Sequence, residues 1–68
     1  MKVRYDKEVD VMKIVFSNHK IAESDEEKPG VILDFDAQGN IVSMEILDAS
    51  KSITSPLSVD YEVAGIEN

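Results

Sequence analysis

The sequence contains no cysteine, no tryptophan and a single histidine among its 68 residues. The absence of cysteine excludes disulfide bonds and thiolate metal sites, and one histidine cannot supply a set of imidazole ligands. No uncharged apolar run approaches 18 residues, so we expect no membrane-spanning segment. With no cysteine and no basic, apolar leader, a cytoplasmic location is expected.

Basic residues are also scarce, since seven Lys and Arg stand against fourteen Asp and Glu, giving a net charge of −7. Nucleic-acid affinity depends on Lys and Arg neutralising phosphates, so a nucleic acid is not expected as a partner. The apolar fraction of 43% is near the globular norm and argues against disorder. The sequence therefore predicts one small acidic domain over residues 1–68, with no cofactor.

The small size of the chain limits its core. Surface scaling gives about 4,300 Å² of accessible area for a folded monomer of this mass, so only ~60% of the unfolded surface is buried. Small domains usually need a disulfide, a metal or a partner to be stable. Because cysteine is absent, self-association or unusually good packing has to supply that stability.

Apolar and polar residues alternate with a period of two, which predicts strands with one buried face. We interpret residues 23–28 as a charged loop that stops at Pro29-Gly30. Asp48 is expected to cap one helical turn at 48–52, and residues 64–68 to form a frayed tail. The predicted fold is mainly β, α+β at most, as an antiparallel meander of five to six short strands with one short helix near 48–52. The strands are expected at 2–6, 11–16, 20–24, 31–36, 41–47 and, as the last strand, 57–63.

The hydrophobic pattern also predicts the register of the hairpin formed by 31–36 and 41–47. With a loop at 37–40, Leu33 faces Met44 in the central core, and Gly39 supplies a positive-φ residue in the turn. Three further pairs are expected toward the turn, namely Asp34–Ser43, Phe35–Val42 and Asp36–Ile41. This register groups Val31, Leu33, Phe35, Val42, Met44 and Ile46 on the core face, and Ile32, Asp34, Asp36, Ile41, Ser43 and Glu45 on the solvent face.

Several segments resemble a bacterial and archaeal family known as domain of unknown function 2283. They are VRYD at 3–6, IVF at 14–16, AES at 22–24, PGVILDFD at 29–36, GNIV at 39–42 and EILDASK at 45–51. The resemblance covers about residues 1–51. It implies a compact, mostly β domain, and it supplies no catalytic residue because the family has no established activity.

Residues 34–45, DFDAQGNIVSME, nearly fit a calcium-binding loop that would use Asp34, Asp36, Gln38 and Glu45. Such a loop requires flanking helices, and Pro29-Gly30 stands where the entering helix would be, so we favour the hairpin. Asp34, Asp36 and Glu45 remain weak metal candidates, and the Asp34/Asp36 face is the candidate for a metal-dependent or hydrolytic activity. No other group completes a catalytic set, and His19 is expected to be solvated in a polar turn.

Four carboxylates occur within five residues, at Glu23, Asp25, Glu26 and Glu27. The run is either a solvated loop that keeps the protein soluble or a docking surface for a basic partner. The second interpretation would make the protein an antitoxin-like neutraliser of a small basic toxin.

Some apolar residues fall on sheet positions that a single thin sheet would leave in water. Either the last strand and the helix cover them, or a second copy does. We expect a homodimer that acts through protein contacts and is not an enzyme. The residues expected at its interface are Val11, Val15, Ile32 and Ile41. Strand 57–63 would pair either within the chain or with the second copy.

Overall fold

The computed structural model describes residues 1–65. Those residues form one antiparallel sheet and one short helix, as the alternating pattern predicts. No helix in this part of the chain is long and apolar enough to cross a membrane. The elements are β1 (Lys2–Asp6), β2 (Val11–Val15), β3 (Glu23–Lys28), β4 (Val31–Phe35), β5 (Ile41–Leu47) and α1 (Ala49–Ser52).

The strand order is β1-β2-β5-β4-β3, so β2 lies beside β5 and β1 and β3 form the two edges. The chain is thus a hairpin, β1–β2, joined to a three-stranded unit, β3–β4–β5, by a crossover at residues 16–22. The Phe16 amide donates to the carbonyl of Val42 (2.8 Å), and the Ala22 amide donates to that of Phe35 (2.7 Å). These bonds hold the crossover across one end of the sheet.

The acidic segment predicted as a loop is in fact the edge strand β3. All six of its residues are exposed, so no buried face produces an alternating hydrophobic signal. Its backbone instead pairs with β4, with a register shift between Glu26 and Lys28. The strand expected at 20–24 therefore begins three residues later, and charged residues on an edge strand discourage further strand pairing.

The β4–β5 hairpin has the predicted register over most of its length. Leu33 pairs with Met44, and Asp34 pairs with Ser43, as expected. A bulge then shifts the pairing, so Phe35 lies opposite Ile41 and the predicted pairs Phe35–Val42 and Asp36–Ile41 are wrong. The turn contains Gly39 at φ 84°, the positive φ for which a glycine is needed.

Strand alternation and the pairing registers divide the sheet into two unlike faces. The apolar face carries, on four of the strands, Val3, Tyr5, Met12, Ile14, Val31, Leu33, Phe35, Val42, Met44 and Ile46. On the edge strand β3 the same face carries charged residues, namely Glu23, Asp25 and Lys28, which lie opposite Phe35, Leu33 and Val31. The charged face carries Lys2, Arg4, Val11, Lys13, Val15, Ile32, Asp34, Ser43 and Glu45.

The buried apolar core of the described residues is small, consisting of Met12, Val42 and Ala49. Leu33 and Met44 are only half-buried, so the expectation that they form the core centre is wrong. The reason is that no second layer covers them. The accessible area is 5578 Å² against the roughly 4,300 Å² expected from mass, and the shortest dimension of the molecule is 19 Å.

Helix α1 lies over one end of the apolar face and is held by Asp10. The Ala49 amide donates to the Asp10 carbonyl (2.9 Å), while the Ser50 amide and hydroxyl donate to the Asp10 carboxylate (2.9 and 2.7 Å). The Tyr5 hydroxyl donates to the same carboxylate (2.7 Å), which lowers the pKa of Asp10. Asp48 adopts φ 51° and makes no side-chain cap, so the predicted capping role belongs to Asp10.

Residues 57–63 do not form the predicted last strand. Their apolar side chains are largely exposed, from 61% for Val59 to 75% for Tyr61 and Val63. Leu57 lies in a turn, and residues 58–63 lack the ladder of hydrogen bonds that defines a strand. Of the predicted frayed tail at 64–68, residues 64 and 65 are exposed and the rest lies outside the described residues.

Candidate functional site

Asp34 is buried on the charged face, and its expected position in solvent is wrong. Its side chain is 6% exposed. One carboxylate oxygen accepts a hydrogen bond from the Ser24 hydroxyl and the other from the Ser43 hydroxyl, each at 2.5 Å. The bond from Ser24 and then that from Ser43 lower the pKa of Asp34, and the positive charge of Lys13 adds to them. Asp34 therefore links β3, β4 and β5 as an ionised acceptor.

Asp36 is also 6% exposed and closes the β4–β5 turn. One oxygen accepts the backbone amides of Gln38 and Asn40, each at 2.9 Å. The other lies 3.1 Å from Nδ1 of His19, whose side chain is 62% exposed, so this histidine is solvated yet contacts a carboxylate. The Asn40 amide is the largest cause that lowers the pKa of Asp36.

The three weak metal candidates do not converge on one point. Asp34 faces two serines, Asp36 faces its own turn, and Glu45 lies on β5 opposite Ile32. In residues 1–65 no group of three or more His, Asp or Glu side chains is placed to hold a metal ion. Both oxygens of each buried carboxylate accept hydrogen bonds from neighbouring groups of the fold, so the two carboxylates act as structural acceptors.

The residues expected at a dimer interface lie in two places. Val11, Val15 and Ile32 share the charged face, where Lys13 and Glu45 lie between them. The bulge puts Ile41 opposite Phe35, so it does not share that face. Val11 lines a surface cavity of about 250 Å³ together with charged neighbours, including Arg4 and Glu45.

The apolar face offers a larger and more continuous hydrophobic surface. Its ten side chains contain no charged group, and the acidic residues of β3 border it on one side only. Apart from Met12 and Val42, every one of these side chains is partly accessible. A contiguous apolar surface of this kind on a small protein is a candidate site for association.

The acidic run forms the exposed outer edge of the sheet. A hydrogen bond between the side chains of Asp25 and Glu27 raises the pKa of Glu27, and the negative charge of Asp25 adds to the effect. The edge is therefore crowded with negative charge, which a cationic partner would relieve.

Two features were missed by the sequence analysis. Asp10 organises the contact between α1 and the sheet, and no pattern around it indicates this because its helix partner Ser50 lies 40 residues away in sequence. Arg4 and Lys13 lie directly opposite each other on β1 and β2. Their juxtaposition follows from the hairpin register, which the position of the turn at 7–10 could have given.

Comparison with known proteins adds a family. The family model for a protein of unknown function, DUF2283, matches residues 2–50. No curated protein and no solved structure matches the chain. The matched region contains all five strands and the start of α1, and it ends before the segment at 57–63. Since the match spans well over half of the sequence, the chain belongs to the DUF2283 family of proteins of unknown function.

Proposed function

We propose that the protein is a non-enzymatic homodimer that acts through protein contacts, with the apolar face as the dimer interface. The proposal rests on the exposure of the apolar face of the sheet. This face has no charged side chain on β1, β2, β4 or β5, the charged residues of β3 lie along one margin only, and eight of its ten apolar side chains are partly accessible. A second copy of the same face would complete a two-layer β structure, with sheets ~10 Å apart.

The area of the face is consistent with this role. Five strands spaced ~4.8 Å apart and about 17 Å long give roughly 400 Å² of projected face per copy. Two copies would bury about 800 Å² of projected area, and more in accessible area because side chains rise above the sheet. This approaches the ~1,000 Å² that a specific interface needs. The accessible area of 5578 Å², well above the monomer expectation, supports the same conclusion.

Electrostatic repulsion opposes association of two chains that each carry a charge of −7. Salt screens such repulsion over about 8–10 Å at physiological ionic strength. The carboxylates of β3 lie at one edge, away from the centre of the apolar face. Apolar burial at about 25 cal/mol per Å² acts across the part of the contact formed by β1, β2, β4 and β5, which favours association.

Sedimentation equilibrium tests the proposal with a pair of adjacent substitutions. Leu33 lies on the apolar face and Ile32 on the opposite one, and both are half-buried. The wild type at micromolar concentration should have twice the chain mass. Leu33→Lys should weaken the dimer by at least ~100-fold, which is about 3 kcal/mol, whereas Ile32→Lys should leave it a dimer.

A monomeric wild type across that range would contradict the homodimer. If Ile32→Lys rather than Leu33→Lys produced monomers, the interface would instead be the charged face with Val11 and Val15. Far-UV circular dichroism checks that each variant retains its sheet. Where Leu33→Lys does not fold, a wild-type melting temperature that rises with chain concentration still reports the dimer.

The acidic edge strand supports a second candidate, an antitoxin-like neutraliser of a small basic toxin. Its support is the exposed cluster of negative charge on β3, with the raised pKa of Glu27. Purification of the native protein should then yield a small basic protein in fixed stoichiometry. Asp25→Asn with Glu27→Gln should abolish that association, while Glu8→Gln, at an exposed turn, should not. Co-purification that survives the β3 variant would contradict this candidate.

A cytoplasmic location is part of the proposal, because a chain without cysteine suits a reducing compartment. A metal-dependent or hydrolytic activity at Asp34 and Asp36 is the weakest alternative. Both carboxylates are engaged by hydroxyl or amide donors from the fold. Binding of a divalent ion that is lost in Asp34→Asn would favour it.

A further inference from the structure

The segment at 57–63, called the tail below, has the composition of a strand but pairs with no strand among residues 1–65. Four apolar side chains alternate with polar ones and are 61–75% exposed. Within the described residues its backbone makes one local hydrogen bond, from the Ser58 amide to the Ser55 carbonyl (3.1 Å). Pairing with a sheet edge would stabilise such a segment, because it removes apolar surface from water and satisfies the unpaired backbone groups of the edge. The apolar set is Leu57, Val59, Tyr61 and Val63.

The sheet has two edges, and only one suits the tail. The outer edge at β3 carries Glu23, Asp25, Glu26 and Glu27, which would repel the tail carboxylates Asp60 and Glu62. The outer edge at β1 instead alternates basic residues on the charged face with apolar residues on the apolar face. Val3 on this edge is 37% exposed, an apolar side chain still open to a partner.

We propose that the tail of one copy adds to β1 of a second copy as an antiparallel sixth strand, so that the two copies exchange tails. The inference rests on the homodimer proposed above and identifies a second contact within it. One register satisfies both faces at once, because apolar residues then meet apolar residues and acids meet bases. It pairs Val59 with Tyr5, Asp60 with Arg4, Tyr61 with Val3 and Glu62 with Lys2.

Charge complementarity supports this edge. Arg4 lies directly opposite Lys13, and like charges in that position destabilise a sheet. No salt bridge joins Lys2, Arg4 or Lys13 to a carboxylate anywhere in residues 1–65. Asp60 and Glu62 of an added strand would come beside two of these three cations. A chain with a net charge of −7 thus keeps two of its seven basic residues, Lys2 and Arg4, on the one edge strand that the acidic tail fits, with Lys13 beside them on β2.

The position of α1 favours exchange over pairing within one chain. The helix is bonded through Asp10 to Tyr5, whose side chain is on the apolar face, so the tail leaves from above that face. The tail reaches the β1 side, where Val59 and Tyr61 line a cavity of about 350 Å³ with Met1 and Val3, yet it forms no ladder there. The tail thus lies beside its own β1 without pairing with it, which leaves the backbone groups of that edge open to the tail of a second copy.

Disulfide trapping tests the exchange in a chain that has no native cysteine. Directly opposed residues of an antiparallel pair have Cα atoms about 4.5–5.5 Å apart, within the range for a disulfide. Val3→Cys and Tyr61→Cys are made in separate chains, mixed and oxidised. The expected product is a disulfide-linked heterodimer, whose yield exceeds that of either chain oxidised alone by about tenfold or more. Asp25→Cys, on the opposite edge, is the matched control and should not link to Tyr61→Cys.

The outcomes separate the two proposals. A wild-type dimer by sedimentation with no Val3–Tyr61 link overturns the tail exchange and leaves the homodimer intact. A double variant, Val3→Cys with Tyr61→Cys, that closes its disulfide within a single chain also overturns the exchange, since the tail then pairs with its own β1.

Charge reversal gives an independent readout. Arg4→Asp should weaken the dimer by about tenfold and Arg4→Asp with Asp60→Arg should restore it, whereas a double variant as weak as the single one contradicts the register.

Discussion

Ser43→Ala should destabilise the sheet because it removes one of two hydroxyl donors to a buried carboxylate. Ser43 is 2% exposed, and its hydroxyl donates to Asp34 at 2.5 Å. A hydrogen bond to an ionised group contributes about 1.5–3 kcal/mol. For a domain of this size, 1 kcal/mol corresponds to about 4–8 °C, so the melting temperature should fall by roughly 6–24 °C at pH 7.

The effect should depend on pH in a defined direction. The hydroxyls of Ser24 and Ser43 lower the pKa of Asp34 in the folded state below its ordinary value. A group with a lowered pKa stabilises the fold above its unfolded-state pKa, near ~4, and loses that contribution as the pH falls through its folded-state pKa. The difference between wild type and Ser43→Ala should therefore be full at pH 7 and should shrink below about pH 4.

Urea denaturation followed by far-UV circular dichroism measures this difference, with chain concentration held fixed because a dimer makes stability concentration-dependent. Ser58→Ala is the matched control, since Ser58 is exposed in the tail and should change stability by less than ~0.5 kcal/mol. A loss at pH 7 that is as small as the control, or that is equal at pH 3, would show that Asp34 is not held as an ionised acceptor by Ser43.

Three further outcomes are expected. Gly39→Ala should cost about 1–2 kcal/mol in urea denaturation because φ is 84° there, while Gly65→Ala, whose φ is not in that region, should cost almost nothing. Leu33→Ala should cost about 2 kcal/mol, the low end for a buried leucine, since the side chain is half-buried; a change below ~0.5 kcal/mol would contradict its place on the apolar face. Calorimetric titration with micromolar Ca²⁺ should give no saturable heat, because Asp36 already accepts two turn amides, and a stoichiometric isotherm would contradict that assignment.

Hydrophobic alternation predicted the strands that have one buried face, and it failed where no face is buried. β4 and β5 could be placed with their register because a one-residue slip would move Ser43 and Glu45 onto the apolar side. β3 gave no such signal, since its six residues are exposed on both sides and only backbone pairing with β4 fixes it. The hydrophobic pattern did not indicate the bulge at Asp34/Phe35 either, because a bulge changes the backbone pairing and not the polarity of the residues.

The tail shows the opposite error, in which hydrophobic alternation predicts a strand that does not form. Its alternation is as regular as that of β1, yet a strand also requires an edge to pair with, which lies outside the local sequence. The burial of Asp34 and Asp36 could not be predicted for a related reason. A carboxylate on a sheet face is normally solvated, and the donors that compensate for the burial of Asp34 come from other strands, namely Ser24 and Ser43. For Asp36 the donors are the amides of its own turn, at Gln38 and Asn40, and the turn could be predicted without showing that this carboxylate is buried.

The two edges of the sheet are chemically unlike, and this asymmetry has a consequence for assembly. If the tail occupies β1, the only edge left open in the dimer is β3, where charged residues oppose further pairing. The dimer would then be closed and would not grow into a fibre. Asp25→Thr with Glu27→Thr removes two charges and adds residues that favour strands, so it should promote assembly beyond the dimer.

Static light scattering over a range of chain concentrations measures that assembly. The matched control is Glu8→Thr with Asp48→Asn, which removes the same charge from exposed positions outside the edge and keeps a residue that tolerates φ 51° at position 48. The β3 variant should show a mass that rises above the dimer with concentration, while the control should not. Equal behaviour of the two variants would mean that net charge alone keeps the protein from assembling, and that the acidic edge has another role, such as holding a basic partner.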